Sequence, residues 1–178
     1  TTRFRSRWDV TKEKIELIEK PFSDCKNWNK GNFYGLDDKE IKDALIDYRI
    51  NVLKHYGFED FLKTKTNDPE KIKSIILDQA LGWANHFDPN SLIILRRANY
   101  NSSALKKLEN IKIPILKVLA KTDKVTNMDK GYETVEYFKS LKIRYKFLAL
   151  HTEYGHYGPM CESNEWSDEL KKFLDITI

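Results

Sequence analysis

Apolar side chains fall at helical spacing through about the first 110 residues and then in short unbroken runs, so the pattern changes character near Pro114. Asp9 is placed to cap a first helix carrying Val10, Leu17 and Ile18, which Pro21 is expected to stop. Ile41, Ala44, Leu45, Tyr48, Val52 and Tyr56 form one stripe, predicting a second helix from Asp37 or Asp38 to Gly57, and a short amphipathic piece follows from Phe58 to Leu62. Asp68-Pro69-Glu70 combines a cap, a first-turn proline and an acid, and predicts a helix that closes around His86. Asp88-Pro89 repeats the signal for a helix over Ser91 to Tyr100, with a last short piece from Ala104 to Leu108. Between the first two helices, Asp24 to Gly35 holds two glycines, three asparagines and three aromatics, and is expected to form no regular element.

After Pro114, Ile115 to Ala120 reads as a buried strand, Met128 to Phe138 as an amphipathic helix, Ile143 to Leu150 as a second strand and Asn164 to Leu174 as a closing helix. The fold class is α/β, with a helical region over residues 1–110 and a β-α-β-α unit over 111–178. The intervening helix is long enough for a parallel crossover. Two parallel strands buried on both faces do not make a stable sheet alone. The sheet is therefore expected to be incomplete in this chain and to dock on strands supplied from elsewhere. A start at Thr1 rather than methionine adds the expectation of a processed chain or a fragment.

Composition narrows the function. With 31 basic and 27 acidic residues, the net charge is only +4 and no long block carries one sign, which argues against nucleic acid. Arg3, Arg5 and Arg7 share no obvious face with Arg96 and Arg97. No run approaches the length of a membrane span and no signal peptide is visible, so a cytoplasmic protein is expected. Cys25 and Cys161 have no metal-binding spacing, and two free thiols with no metal or cofactor are expected.

The candidate chemistry lies where the strands end. Asp123 follows the first strand, and His156 lies in Tyr154-Gly155-His156 after the second, matching the last two members of the order Ser…Asp…His. His151 is a rival base and Asp129 a rival acid, whereas His55 and His86 fall on helices and read as structural. No glycine pair brackets a serine in the pattern Gly-x-Ser-x-Gly, so the chain contains no nucleophile elbow. Cys161 reads as a half-buried structural thiol.

Three separated segments carry a resemblance. Ile113-Pro114 with its strand, then Asp123 and Tyr154-Gly155-His156, resemble the C-terminal part of the homoserine O-acetyltransferase family of α/β-hydrolases. Trp28-Asn29-Lys30-Gly31-Asn32-Phe33-Tyr34 is similar to that family's Trp-x-x-Gly-x-Tyr segment, and Phe87-Asp88-Pro89-Asn90-Ser91 with Arg97-Ala98 to its Phe-Asp-x-Asn-Ser…Arg-Ala segment. The resemblance implies a helical lid over 1–110, the last two core strands over 111–178, and catalytic His156 and Asp123. Substrate-binding Trp28, Tyr34, Arg97 and Tyr157 are implied as well. It also implies that the serine lies in an upstream half of the same fold, leaving this chain inactive alone. Where the family carries Arg-Gln-Ala-Ile, this chain has Ile15-Glu16-Leu17-Ile18, which favours a divergent esterase or acyltransferase over homoserine chemistry. The substrate class is a small ester or acyl-CoA as acyl donor, and a homodimer through the lid helices stays open. The competing expectations are a catalytically inactive α/β-hydrolase-like protein and a helical interaction module.

Overall fold

A computed structural model describes residues 12–101 and 105–177. The Asp9 cap, the Arg3, Arg5 and Arg7 triplet and the Ala104 helix start lie outside those residues. The elements are α1 (Lys12–Ser23), α2 (Lys39–His55), α3 (Phe58–Lys63), α4 (Pro69–Ala84), α5 (Pro89–Asn101), α6 (Leu105–Leu108), β1 (Ile115–Ala120), α7 (Met128–Ser140), β2 (Tyr145–Leu150), α8 (Gly158–Cys161) and α9 (Asn164–Thr177). They cluster into two units. A helical unit takes residues 12–54 and 66–101, and a strand-bearing unit takes 55–65 and 105–177. Residues 55–65 lie inside the stretch expected to form the lid, yet they cluster with the strands.

In the helical unit, Phe22, Trp28, Phe33, Ile41, Leu45, Ala84, Leu92 and Ile93 form the core. Helix α1 runs through Pro21 instead of stopping there. The reason is Phe22, which is fully buried one residue later. Its burial contributes about 1.5–3 kcal/mol and offsets most of the roughly 3 kcal/mol that an interior proline costs. The loop after α1 also departs from expectation by containing one 3-10 turn, Asn29–Gly31. That turn aligns an aromatic stack: Phe22 to Trp28 at 5.8 Å, Trp28 to Phe33 at 5.4 Å and Phe33 to Tyr34 at 4.6 Å between ring centroids.

The two aspartate-proline starts behave as the sequence suggests. Asp68 accepts from the Glu70 and Lys71 N–H groups at 3.0 and 3.2 Å, with Pro69 in the first turn of α4. Asp88 accepts from the Ser91 N–H at 2.8 Å. Its other oxygen accepts from the Tyr34 hydroxyl at 3.1 Å, and Asn90 donates to the Gly31 carbonyl at 2.6 Å. The two segments that carried the resemblance in this half are thus tied to each other by hydrogen bonds.

In the strand-bearing unit, β1 and β2 pair in parallel, in register from Ile115 opposite Tyr145 to Ala120 opposite Leu150. Helix α7 packs on both strands and α9 on β2. Lys146 of β2 forms an ion pair with Glu169 of α9, and Lys146 together with Lys172 holds the Glu169 carboxyl down to about 2. β2 starts two residues later than expected because Lys142 takes a left-handed turn, with φ 55°, and the Ile143 N–H bonds back to Phe138. Both strands are only half-buried until their C-terminal ends. Apolar strands this exposed are an unfinished sheet, because parallel sheets bury both faces. Pro159 opens the short helix α8 at its first turn, where its missing N–H is not needed.

Candidate active site

The buried ends of β1 and β2 release two loops side by side. Lys121 continues the ladder by donating its N–H to the Leu150 carbonyl at 3.0 Å, which keeps the two exits adjacent. Asp123 follows at once and is 5% exposed. One of its oxygens accepts from the Val125 and Thr126 N–H groups at 2.7 and 3.0 Å, so a turn of its own backbone fixes the carboxylate. The other lies 2.9 Å from His156 Nδ1. An ionised carboxylate only accepts, so Nδ1 carries the proton and Nε2 is left with its lone pair. The His156 side chain remains 39% exposed. A buried acid and a reachable imidazole are what a general base needs.

Burial pushes the Asp123 carboxyl up, but the hydrogen bond from His156 and those from the Thr126 and Val125 N–H groups outweigh it, and the net shift is downward. A folded value below the unfolded one stabilises the protein fully above the ordinary 3.8 and loses that stabilisation as pH falls through the folded value. The stability gap between wild type and Asp123→Asn is therefore expected to be constant at neutral pH and to narrow only below about pH 3.8. Urea unfolding across that range checks it, and a gap already closing at pH 6 would contradict the pairing.

An aromatic surround positions the histidine. The Tyr56 ring lies 4.8 Å from the imidazole, and Phe58 stacks on Tyr157 at 5.1 Å. Phe61 meets Tyr154 edge-on at 5.7 Å. Backbone approaches backbone here: a Cβ on Gly155, whose φ is +54°, would lie 3.1 Å from the Tyr56 carbonyl oxygen. His151 faces different chemistry. Lys121 Nζ sits 2.7 Å from its Nε2, and both line a cavity of about 310 Å³ with Glu153 and Glu162. Cys161 is a poor nucleophile, because burial and then Glu162 push its thiol up. Among the described residues, no group of three or more His, Cys, Asp or Glu could hold a metal, and no helix is long and apolar enough to cross a membrane.

Solved structures share the fold of this chain. An esterase superposes with a TM-score of 0.67 at 17% identity, over 90% of this chain and 49% of its own. A homoserine O-acetyltransferase from Bacillus anthracis superposes with a TM-score of 0.63 at 16% identity, over 93% of this chain and 48% of its own. This chain has the fold of part of an α/β-hydrolase. In sequence, this chain is 25% identical over 185 aligned positions to a homoserine O-acetyltransferase of Methanohalobium evestigatum, covering 92% of this chain and 36% of that relative. The chain thus spans about half of each solved α/β-hydrolase and 36% of the curated relative. No family model matches it.

His156, Asp123 and Tyr157 lie in the strand-bearing unit, whereas Trp28, Tyr34 and Arg97 lie in the helical unit. Trp28 is 5% exposed and packs in the core there. Tyr34 is exposed, with its hydroxyl on Asp88 and Asn90, and Arg97 pairs with Glu19 at 2.5 Å. Tyr56 and Phe58 escaped the sequence reading. Tyr56 belongs to the α2 stripe by spacing, so nothing local marks it as a neighbour of His156.

Proposed function

We propose that this chain supplies the acid–base half of a serine acyltransferase or esterase, with His156 as the base and Asp123 as its orienting acid. The serine would come from an upstream half of the same fold. The observation that carries this reading is the 2.9 Å contact between His156 Nδ1 and a buried, doubly anchored Asp123, which leaves Nε2 as the acceptor. The related acyltransferases and the esterase support the same class.

In this mechanism His156 Nε2 takes the serine proton as the oxygen attacks the acyl carbon of an ester or acyl-CoA. The imidazolium then returns that proton to the departing alkoxide or thiolate. A water or acceptor hydroxyl then gives its proton to His156 as its oxygen attacks the acyl carbon, and the imidazolium returns that proton to the serine oxygen as the acyl–serine bond breaks. Asp123 stabilises the cation at both stages. In the strand-bearing unit Tyr157 is the proposed substrate contact, and within the helical unit the resemblance supports the same role for Tyr34 and Arg97, with Trp28 behind Tyr34 in the aromatic stack.

The test compares this chain alone with the chain joined to its upstream half, on short p-nitrophenyl esters. Turnover is expected only for the joined form. Turnover by the isolated chain that His156→Ala abolishes would overturn the division of the site. No turnover by the joined form would leave the inactive-relative reading in its place, and equal turnover by the joined form and its His156→Ala variant would remove His156 as the base.

A further inference from the structure

The loop that carries His156 is held to the loop that carries Asp123 by more than the pair itself. Thr122 Oγ1 donates to the Thr152 carbonyl at 2.5 Å and accepts from the Gly155 N–H at 3.2 Å. A hydroxyl has one proton and two lone pairs, so this geometry uses it as both donor and acceptor at once. Thr152 and Gly155 are buried, so leaving their backbone groups without the Thr122 hydroxyl is costly. Thr152 Oγ1 in turn accepts from the Tyr154 N–H at 3.2 Å.

We propose that Thr122 is a positioning residue for the His156–Asp123 pair, its hydroxyl locking the His156 loop in register with the end of β1. Thr122 and Asp123 are consecutive, and Gly155 and His156 are consecutive. Two adjacent residues on one loop therefore grip two adjacent residues on the other, and the Thr152 carbonyl adds a third point. Sliding the histidine loop along β1 would break all three bonds together. A histidine held by its carboxylate alone could still pivot about that one contact. With the Gly155 N–H also fixed, the imidazole plane is set, and so is the direction of Nε2. Small misplacement of a base costs rate steeply while leaving binding nearly untouched.

The functional arm rests on the reading of His156 as the base, so the test has an arm that does not. Thr122→Val keeps the shape of the side chain and removes the hydroxyl, and Thr122→Ser keeps the hydroxyl. Hydrogen exchange is measured on amides of residues 151–157, with α7 as the internal control. Thr122→Val is expected to speed exchange in 151–157 by about tenfold or more and leave α7 unchanged, because the buried Gly155 donor and Thr152 acceptor lose their partner. In the enzyme-competent form, kcat is expected to fall about 10- to 100-fold with KM within about twofold. Thr122→Ser is expected to restore both. Unchanged exchange in Thr122→Val, or a Thr122→Ser variant as impaired as Thr122→Val, overturns the proposal. If His156→Ala retains full turnover, the catalytic reading falls, and the exchange comparison still decides the role of Thr122.

Discussion

Asp123→Asn in the enzyme-competent form is expected to lower kcat by about ten-thousandfold, with little change in KM. The magnitude follows from which atoms the side chain must satisfy. One carboxylate oxygen already accepts from the Val125 and Thr126 N–H groups. An asparagine has a single oxygen, and those two donors claim it, which turns its NH2 toward His156 Nδ1. The imidazole must then accept at Nδ1 and carry its proton on Nε2. The geometry survives, and the base points a proton where it needs a lone pair. Steady-state kinetics with a thermal melt separates this from unfolding. A loss of less than tenfold in a folded variant would remove Asp123 from the site.

Gly57→Ala is expected to destabilise the protein by about 3 kcal/mol, adding the cost of a left-handed residue to that of overpacking. Gly57 has φ +90°, and a Cβ there would sit 2.7 Å from the Tyr154 carbonyl oxygen, a backbone atom with no rotamer to move. A drop of about 6–12 °C in Tm is the expected reading for a chain of this size. Gly82→Ala is the matched control. It lies within α4 with nothing within 4 Å of a new Cβ, and is expected to gain up to about 1 kcal/mol. Equal melts for the two variants would mean that the corner between α2 and α3 does not press on the His156 loop. Because Tyr154 lies two residues before His156, the same substitution is expected to depress kcat in whatever fraction stays folded.

What the sequence reveals and what it hides divide along distance in the chain. The Asp68-Pro69 and Asp88-Pro89 starts are local devices, each legible because its partners lie within three residues, and the strand after Pro114 is legible from its unbroken apolar run although its pairing partner is distant. The strand-end positions of Asp123 and His156 follow from the same local runs. Pro21 misled because a proline's cost is local, while the burial of Phe22 that offsets it is tertiary. Sequence context already favours His156 over His151, and the folded geometry sets His156 beside Asp123 and Lys121 beside His151. Tyr56 beside His156 and the Thr122 hydroxyl bridging Thr152 and Gly155 are contacts between distant parts of the chain. No periodicity encodes them. Gly57 and Gly155 were visible as glycines, but only the structure shows that the two segments need them to pass each other.

The strand-bearing unit is discontinuous, and that has a consequence for synthesis. Residues 55–65 leave the ribosome long before residues 105–177, with which they cluster. At about 5–20 residues per second, Gly57 waits roughly 5–20 s for Tyr154 to be translated. During that interval the Phe58 and Phe61 rings have none of their later aromatic partners, Tyr154 and Tyr157, to cover them. The helical unit on either side of 55–65 can meanwhile assemble from residues already made. A nascent chain stalled before residue 150 should therefore present these phenylalanines to a chaperone, and release from it should coincide with emergence of the His156 loop.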